Sequence, residues 1–419
     1  MDHHPSGSWI DIPLSKPFLM KPALFLLLAW LSARPLFAQS DVQKRYQTKL
    51  IMAHDGSTIE LDAGTFSFTG SLSLQDKKRI VIRGKGVDKT VLSFKGQTDG
   101  AEGLRVSNGE NIVIENLTVQ DTKGDGIKTM NVKGITFRNV KVEWTGPPKS
   151  TNGGYGLYPV QCDNVVIDGC TAIGASDAGI YVGQSRGIVV KNSKAHHNVA
   201  GIEIENSRNA DVFDNEAYEN TGGILVFDLP DLVQKQGGHV RVFNNHVHDN
   251  NLPNFAPEGN IVASVTAGTG LLILAANGVE VFNNRFLRNQ STGTGIISYL
   301  FTQRPITDKA YYPFSTAISI HDNVYERNPD SPRPSGELFE LILKTGPSIP
   351  HILYDGIADP ATLDKNGNPQ PDRRICIRNN KNQSIINLDA GQGFKNMSRD
   401  AAPFDCQLPP LKATAANTR

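Results

Sequence analysis

Five side chains hold the same position in a recurring motif, and their types suit acid–base chemistry. Arg105, Lys128, Tyr158, Tyr181 and Glu203 each stand two residues after a glycine, in Gly103-Leu104, Gly126-Ile127, Gly156-Leu157, Gly179-Ile180 and Gly201-Ile202, and Leu225 follows Gly223-Ile224 in the same way. Arg105 or Lys128 can neutralise a carboxylate. Lys128 or Tyr158 can remove a proton if neighbours lower its pKa, and Tyr181 can supply one. Asp125, Asp177, Glu203 and Glu205 lie close in the same projection and could hold Ca²⁺, while Tyr155 and Asp228 are placed to rim a groove. The tyrosines can also stack on sugar rings. For hydrolysis, Glu203 with Asp177 or Asp228 is the best carboxylate pair. Against these readings stands a plainer one: outward positions of any solenoid are polar, and such a column can be surface held by cross-strand pairs.

Other candidates are sparser. His196-His197 and His246-x-His248-Asp249 suggest a metal or a general base. Both follow a turn, where polar residues are ordinary, and no residue is assigned as a metal ligand. His239 stands alone on an insertion.

Two periodic motifs define the elements that must position these residues. The glycine-aliphatic pairs beginning at 103, 126, 156, 179, 201 and 223 are separated by 23, 30, 23, 22 and 22 residues. The second motif is an alternating strand before a turn residue, as in Ile112-Val113-Ile114 before Asn116, Ile188-Val189-Val190 before Asn192 and Val279-Glu280-Val281 before Asn283. From glycine to turn residue is 13 positions in Gly103–Asn116, Gly126–Asn139, Gly156–Gly169, Gly179–Asn192, Gly201–Asp214 and Gly270–Asn283. A constant offset means that every unit carries the same strands and turns. One such unit cannot bury its apolar face alone, but units stacked in parallel bury a continuous interior. No Leu-x-x-Leu-x-Leu pattern and no long helical period compete with this reading. The predicted fold is an all-β parallel solenoid, with the Asn column forming a ladder of amides at one corner, where Asn tolerates left-handed backbone. Strand alternation turns the Leu or Ile after each glycine inward and the next residue outward. At about 4.8 Å per rung, Arg105 to Glu203 would span about 19 Å of exposed face.

The chain divides into three parts. Residues 1–38 read as a signal peptide region, with Met20-Lys21 before an apolar run and a cut after Ala38, and with Met20 as the true start. Residues 39–330 form the solenoid, and 331–419, which lose the repeat, form a C-terminal cap and extended tail. Insertions interrupt the rungs at 144–154, 227–237, 250–268 and 299–315. The leader places the protein in the periplasm or outside the cell, with no integral membrane span in the mature chain. Lysine and arginine total 42, as do aspartate and glutamate, which excludes the basic excess of a nucleic-acid binder. Of four cysteines, Cys376 and Cys406 are the better pair, whereas Cys162 and Cys170 flank a strand.

The Gly-Ile-x-x…Asn-x units resemble the right-handed parallel β-helix, or pectin-lyase-like, superfamily over about residues 50–330. They are similar to its carbohydrate-binding and sugar-hydrolase repeats and to the periplasmic NosD family. The tail, with Arg374-Ile375-Cys376-Ile377-Arg378-Asn379-Asn380, Asn387-Leu388-Asp389 and Asp405-Cys406-Gln407-Leu408-Pro409-Pro410, resembles an exported bacterial family of parallel β-helix domain proteins. Members are often encoded beside a c-type cytochrome, so this resemblance implies an envelope protein with a redox neighbour. The chain departs from the Asp-Pro-His motif of bacterial mannuronan epimerases and from the Asn-Thr-Asp, Asp-Asp, Gly-His-Gly set of polygalacturonases, and it has no Cys-x-x-Cys-His haem motif. No known active site carries over.

Two functions follow as expectations. One is an exported protein that binds or modifies acidic polysaccharide, as a lyase or C5-epimerase on uronate-rich chains. The other is a non-catalytic envelope binding or scaffold protein with a protein partner such as a c-type cytochrome, which an exposed apolar patch at Leu225, Phe227 and Leu229 would favour.

Overall fold

In the computed structural model, residues 34–330 and 334–415 are described, with side chains from position 41 onward. The leader read at 1–38 falls, up to position 33, outside the described residues. Gln39–Arg419 form one compact unit. Each turn of the chain lays short strands on three faces, and strands on each face pair in parallel with those of the turns above and below. The third face holds 11 strands, running from Gly70–Gln75 to Ile385–Asn387. Glu110–Gln120 and Lys133–Glu143 run unbroken across the first and second faces. Ladder pairing continues past residue 330 through Ile352–Tyr354, Ile375–Arg378 and Ile385–Asn387.

The apolar positions behave as alternation requires. Leu104, Ile127, Leu157, Ile180, Ile202, Ile224 and Leu271 point into the solenoid and are at most 1% exposed. Each contributes about 1.5–3 kcal/mol once buried, but only because the next rung covers it. The glycine column has a steric cause. A Cβ on Gly156, Gly201, Gly223 or Gly270 would lie within 2.4–2.6 Å of the carbonyl oxygen of the glycine one rung on.

The turn residues Asn116, Asn139, Asn192, Asp214, Asn244, Asn283 and Asp322 all have positive φ, and Asn139 Nδ2 donates to Asn116 Oδ1 at 2.7 Å. The continuous amide ladder lies one residue further on, where the side chain turns inward. Asn215, Asn245, Asn284, Asn323 and Asn380 pass hydrogen bonds from each Nδ2 to the next Oδ1 at 2.9–3.0 Å. A second ladder, which the sequence reading lacks, joins Asn198, Asn220, Asn250 and Asn289 at another corner. Both are buried, save for the half-buried Asn380 at the end of the first, and each amide also satisfies a main-chain N–H and a carbonyl. Buried polar groups are tolerated only in this fully paired state.

The ends are covered. The helix Arg34–Met52 presses Tyr46 and Leu50 into the core beside Phe66 and Phe68. At the other end Phe404 packs on Tyr354, while the helix Glu337–Lys344 lays Phe339 and Ile342 on the outer side of the third face against Leu353 and Ile386. Cys376 and Cys406 form a disulfide, while Cys162 and Cys170 are free and buried. Beyond Cys406 the tail lies along the first face: Leu411 N–H donates to Glu280 Oε2, and the Thr414 N–H and hydroxyl donate to Asp211. No helix among the described residues is long and apolar enough to cross a membrane.

Candidate functional site

The outward column of the third face is in register. Arg105 pairs with Lys128, Lys128 with Tyr158, Tyr181 with Glu203, and Glu203 with Leu225. Its exposure departs from the expected 19 Å open face. Arg105, Lys128 and Tyr158 are partly exposed, but Tyr181, Glu203 and Leu225 are buried. The insertions at 250–268 and 299–315 roof this end, packing Val262, Val265, Tyr299 and Tyr311 against Tyr181, Leu225, Phe227 and Leu274. The partly exposed column therefore covers two rung steps, about 10 Å. Leu225 and Phe227 are buried and Leu229 is partly buried, so the apolar patch that would favour a scaffold is not on the surface.

At the accessible end, Lys128 Nζ lies 3.6 Å from Asp125 Oδ2 and 4.5 Å from the centre of the Tyr158 ring. The rings of Tyr155, Tyr158 and Tyr181 form a cluster with centroids 4.4–5.0 Å apart. Burial lifts the Asp125 carboxyl to about 6, against the pull of Lys128. Burial, then Asp125 and Glu205, push the Tyr158 hydroxyl up to about 12. This corrects the expectation that neighbours lower the Tyr158 pKa: at neutral pH its phenol keeps its proton and acts as a donor. Tyr181, expected as the acid, is committed elsewhere. Its hydroxyl donates to Glu205 Oε1 at 2.6 Å, and burial and Glu205 hold its pKa well above the ordinary value.

Beneath the roof the carboxyls are kept towards their neutral forms. Asp177 rises to about 7 through burial and the nearby Glu205, although Asn260 Nδ2 donates to it at 2.9 Å. Glu205 also rises to about 7, by burial against the hydrogen bond from Tyr181. Burial, then Glu205 and Asp177, hold Glu203 well above its ordinary value, and neither of its carboxylate oxygens has a hydrogen-bond partner among the described residues. Asp228, lifted to about 7 by burial, accepts from Gly237 N–H and anchors the 227–237 insertion. Glu203 with Asp177 or Asp228 is therefore not a carboxylate pair facing an open groove. Nor do Asp125, Asp177, Glu203 and Glu205 converge as expected for Ca²⁺. Among the described residues, the clusters whose donor atoms lie within 4.8 Å of one another are His196–His197–Glu219 and Glu216–His246–His248, on the second face.

Sequence reasoning missed Asn260, Tyr311 and Gly183. Asn260 and Tyr311 belong to the roof, and the Tyr311 hydroxyl donates to the Asp228 carbonyl. A Cβ on Gly183 would meet the Tyr181 ring at 2.4 Å, so that glycine makes room for the tyrosine to reach Glu205. Only the presence of the insertions signalled a cover.

Comparison with known proteins agrees with the geometry. The family described as "Right handed beta helix region" matches residues 80–234. Depolymerase 1, capsule KN3-specific, of Klebsiella phage KN3-1 is 26% identical over 133 residues, or 29% of this chain, which spans only 16% of that protein. Among solved structures, the A-module of Azotobacter vinelandii mannuronan C-5 epimerase AlgE4 aligns with a TM-score of 0.55 at 16% identity, covering 83% of this chain and 91% of the module. The AlgE6 A-module aligns at 0.53 and 17% identity, covering 76% and 86%. The fold is the right-handed parallel β-helix.

Proposed function

We propose that this right-handed parallel β-helix protein acts on uronate-rich polysaccharide, as a lyase or C5-epimerase, in the periplasm or outside the cell. The observation that carries the reading is the contact of Lys128 with both the Asp125 carboxyl and the face of Tyr158, with Arg105 one rung away. Both reactions begin with removal of the proton at C5, next to the sugar carboxylate, whose oxygens take up the electron pair. In a lyase the pair returns to form a C4–C5 double bond, and the O4 glycosidic oxygen leaves with a proton. In an epimerase a proton returns to C5 from the opposite face. Asp125, near 6, is suited to the base at neutral pH, and Tyr158, near 12, to the donor. Arg105 and Lys128 pair with the substrate carboxylate and with the charge that builds on it. Asp177 and Glu205, both near 7, let an anionic chain approach without facing a full set of like charges.

The similar proteins support the polysaccharide side of this reading: the Azotobacter modules are named for mannuronan C-5 epimerisation and the phage protein for capsule depolymerisation. The Cys376–Cys406 bridge supports an oxidising compartment. The test offers the protein alginate, pectate, hyaluronan and heparin-like chains in deuterated water, with and without Ca²⁺. A lyase yields the ultraviolet absorbance of an unsaturated uronate, and an epimerase yields deuterium at C5. Asp125→Asn and Lys128→Ala are each expected to lower the rate by about 10²-fold or more. Neither signal with any chain overturns the enzymatic reading, and binding without turnover assigns a sugar-binding module.

A further inference from the structure

We infer that Glu216, His246 and His248 form a binding site for a divalent transition-metal ion of the zinc class, on the second face and separate from the column above. His246 and His248 are alternate residues of the strand His246–His248, so both side chains leave the same side of it. Glu216 pairs with His246 from the rung before. Its Oε1 lies 3.3 Å from His248 Nε2 and 4.0 Å from His246 Nδ1, while its Oε2 is held by Lys194 Nζ at 2.9 Å. Two donors bonded to one tetrahedral zinc at about 2.0–2.1 Å lie about 3.3 Å apart. The Glu216–His248 spacing already matches, and His246 needs to close on Glu216 by about 0.7 Å.

The surroundings fix the donors for this role. His248 Nδ1 lies 2.7 Å from Asp249 Oδ2, and Arg288 holds that carboxylate through both its oxygens. With Nδ1 bonded to Asp249, Nε2 is the ring atom that faces Glu216, at 3.3 Å, the carboxylate–histidine arrangement that orients metal ligands. The His246 Nε2 is buried with no hydrogen-bond partner, which leaves its Nδ1 as the atom facing the carboxylate. In the metal-free protein a proton on His248 Nε2 bridges to Glu216 Oε1 at 3.3 Å, and a bound ion takes the place of that proton, with the two imidazoles and the carboxylate as its donors. With three protein donors, such an ion keeps a fourth position open.

The test titrates the untagged full chain, stripped by a chelator, with Zn²⁺ alone by calorimetry, and with Co²⁺ while following its visible bands. The expected result is one equivalent bound, with tetrahedral Co²⁺ bands in the wild type. His248→Phe keeps an aromatic ring stacked on Tyr218, and with Glu216→Gln it should bind at least tenfold more weakly. Asp249→Asn should lose about tenfold through the orienting bond alone. His196→Phe, in the neighbouring cluster, should bind as the wild type does. No heat and no Co²⁺ bands at stoichiometric metal, binding that His248→Phe leaves unchanged, or a loss that follows His196→Phe instead would each overturn the assignment. Absence of Co²⁺ bands in the wild type overturns the assignment even if a variant fails to fold.

Discussion

Replacing Glu205 by glutamine isolates the cost of an ionised carboxylate beneath the roof. The native carboxyl is lifted from 4.5 to about 7, chiefly by burial, with Asp228 adding and the Tyr181 hydrogen bond opposing. The folded state therefore keeps a proton that the unfolded chain has released. The contribution of this carboxyl to stability is fully present below about 4.5 and is lost as the pH rises to about 7. A gap of about 2.5 pH decades, at about 1.4 kcal/mol each, amounts to about 3–4 kcal/mol lost by pH 8. Glutamine keeps an oxygen to accept from Tyr181 and cannot ionise. Urea unfolding of the two proteins from pH 4.5 to 8 should give similar stabilities at the acid end. At the alkaline end the variant should be the more stable by about 3–4 kcal/mol. Groups outside the cluster, such as His321, raised by its bond to Glu280, cancel in the difference, whereas Asp177 and Glu203, both raised by Glu205, are relieved in the variant and add to its advantage at alkaline pH. Parallel curves, or a wild type that gains on the variant as pH rises, would refute the argument that burial holds this proton.

Activity on a uronate chain should rise through about pH 6 as Asp125 ionises and decline above about pH 7 as Asp177 and Glu205 become anionic; a pH–rate profile measures both limbs. Asn245→Ala deprives the Asn215 N–H and amide of their acceptor and the Val212 carbonyl of a donor. It should cost about 2–4 kcal/mol in urea unfolding. Cys376→Ser with Cys406→Ser opens a loop of 30 residues and should cost about 3–4 kcal/mol on the chain-entropy account. Reduction of the wild type should reproduce most of that loss.

The repeat was legible because its causes are local. The glycines recur where a neighbouring carbonyl leaves no room for a Cβ, and the turn asparagines recur where the backbone turns left-handed. With both spaced alike, the register of Arg105 with Lys128 and of Tyr181 with Glu203 could be read without coordinates. The inward Asn245 and Asn284 were harder to see, because they stand directly beside the turn residues Asn244 and Asn283 and only direction separates them. The burial of Glu203 was not legible at all. Its strand is like the others, and what covers it comes from insertions many residues later in the chain. Tyr158 failed as a base for the same reason, since its pKa depends on how much water the loops exclude.

The C-terminal tail changes how such a stack comes apart. In a linear array each turn leans only on its neighbours, so the last one can peel away first. Here the chain leaves the last pairing of the first face at Cys376, is tied back there by Cys406, and then runs backward to Glu280 and Asp211. Asp211, Arg241, Glu280, Ser319 and Cys376 are successive positions of one column. The tail thus makes a closed circuit across four steps of the array. Loss of the final turn requires the strap to release a turn in the middle, so these turns open together, and the end of the molecule takes on the lifetime of its centre.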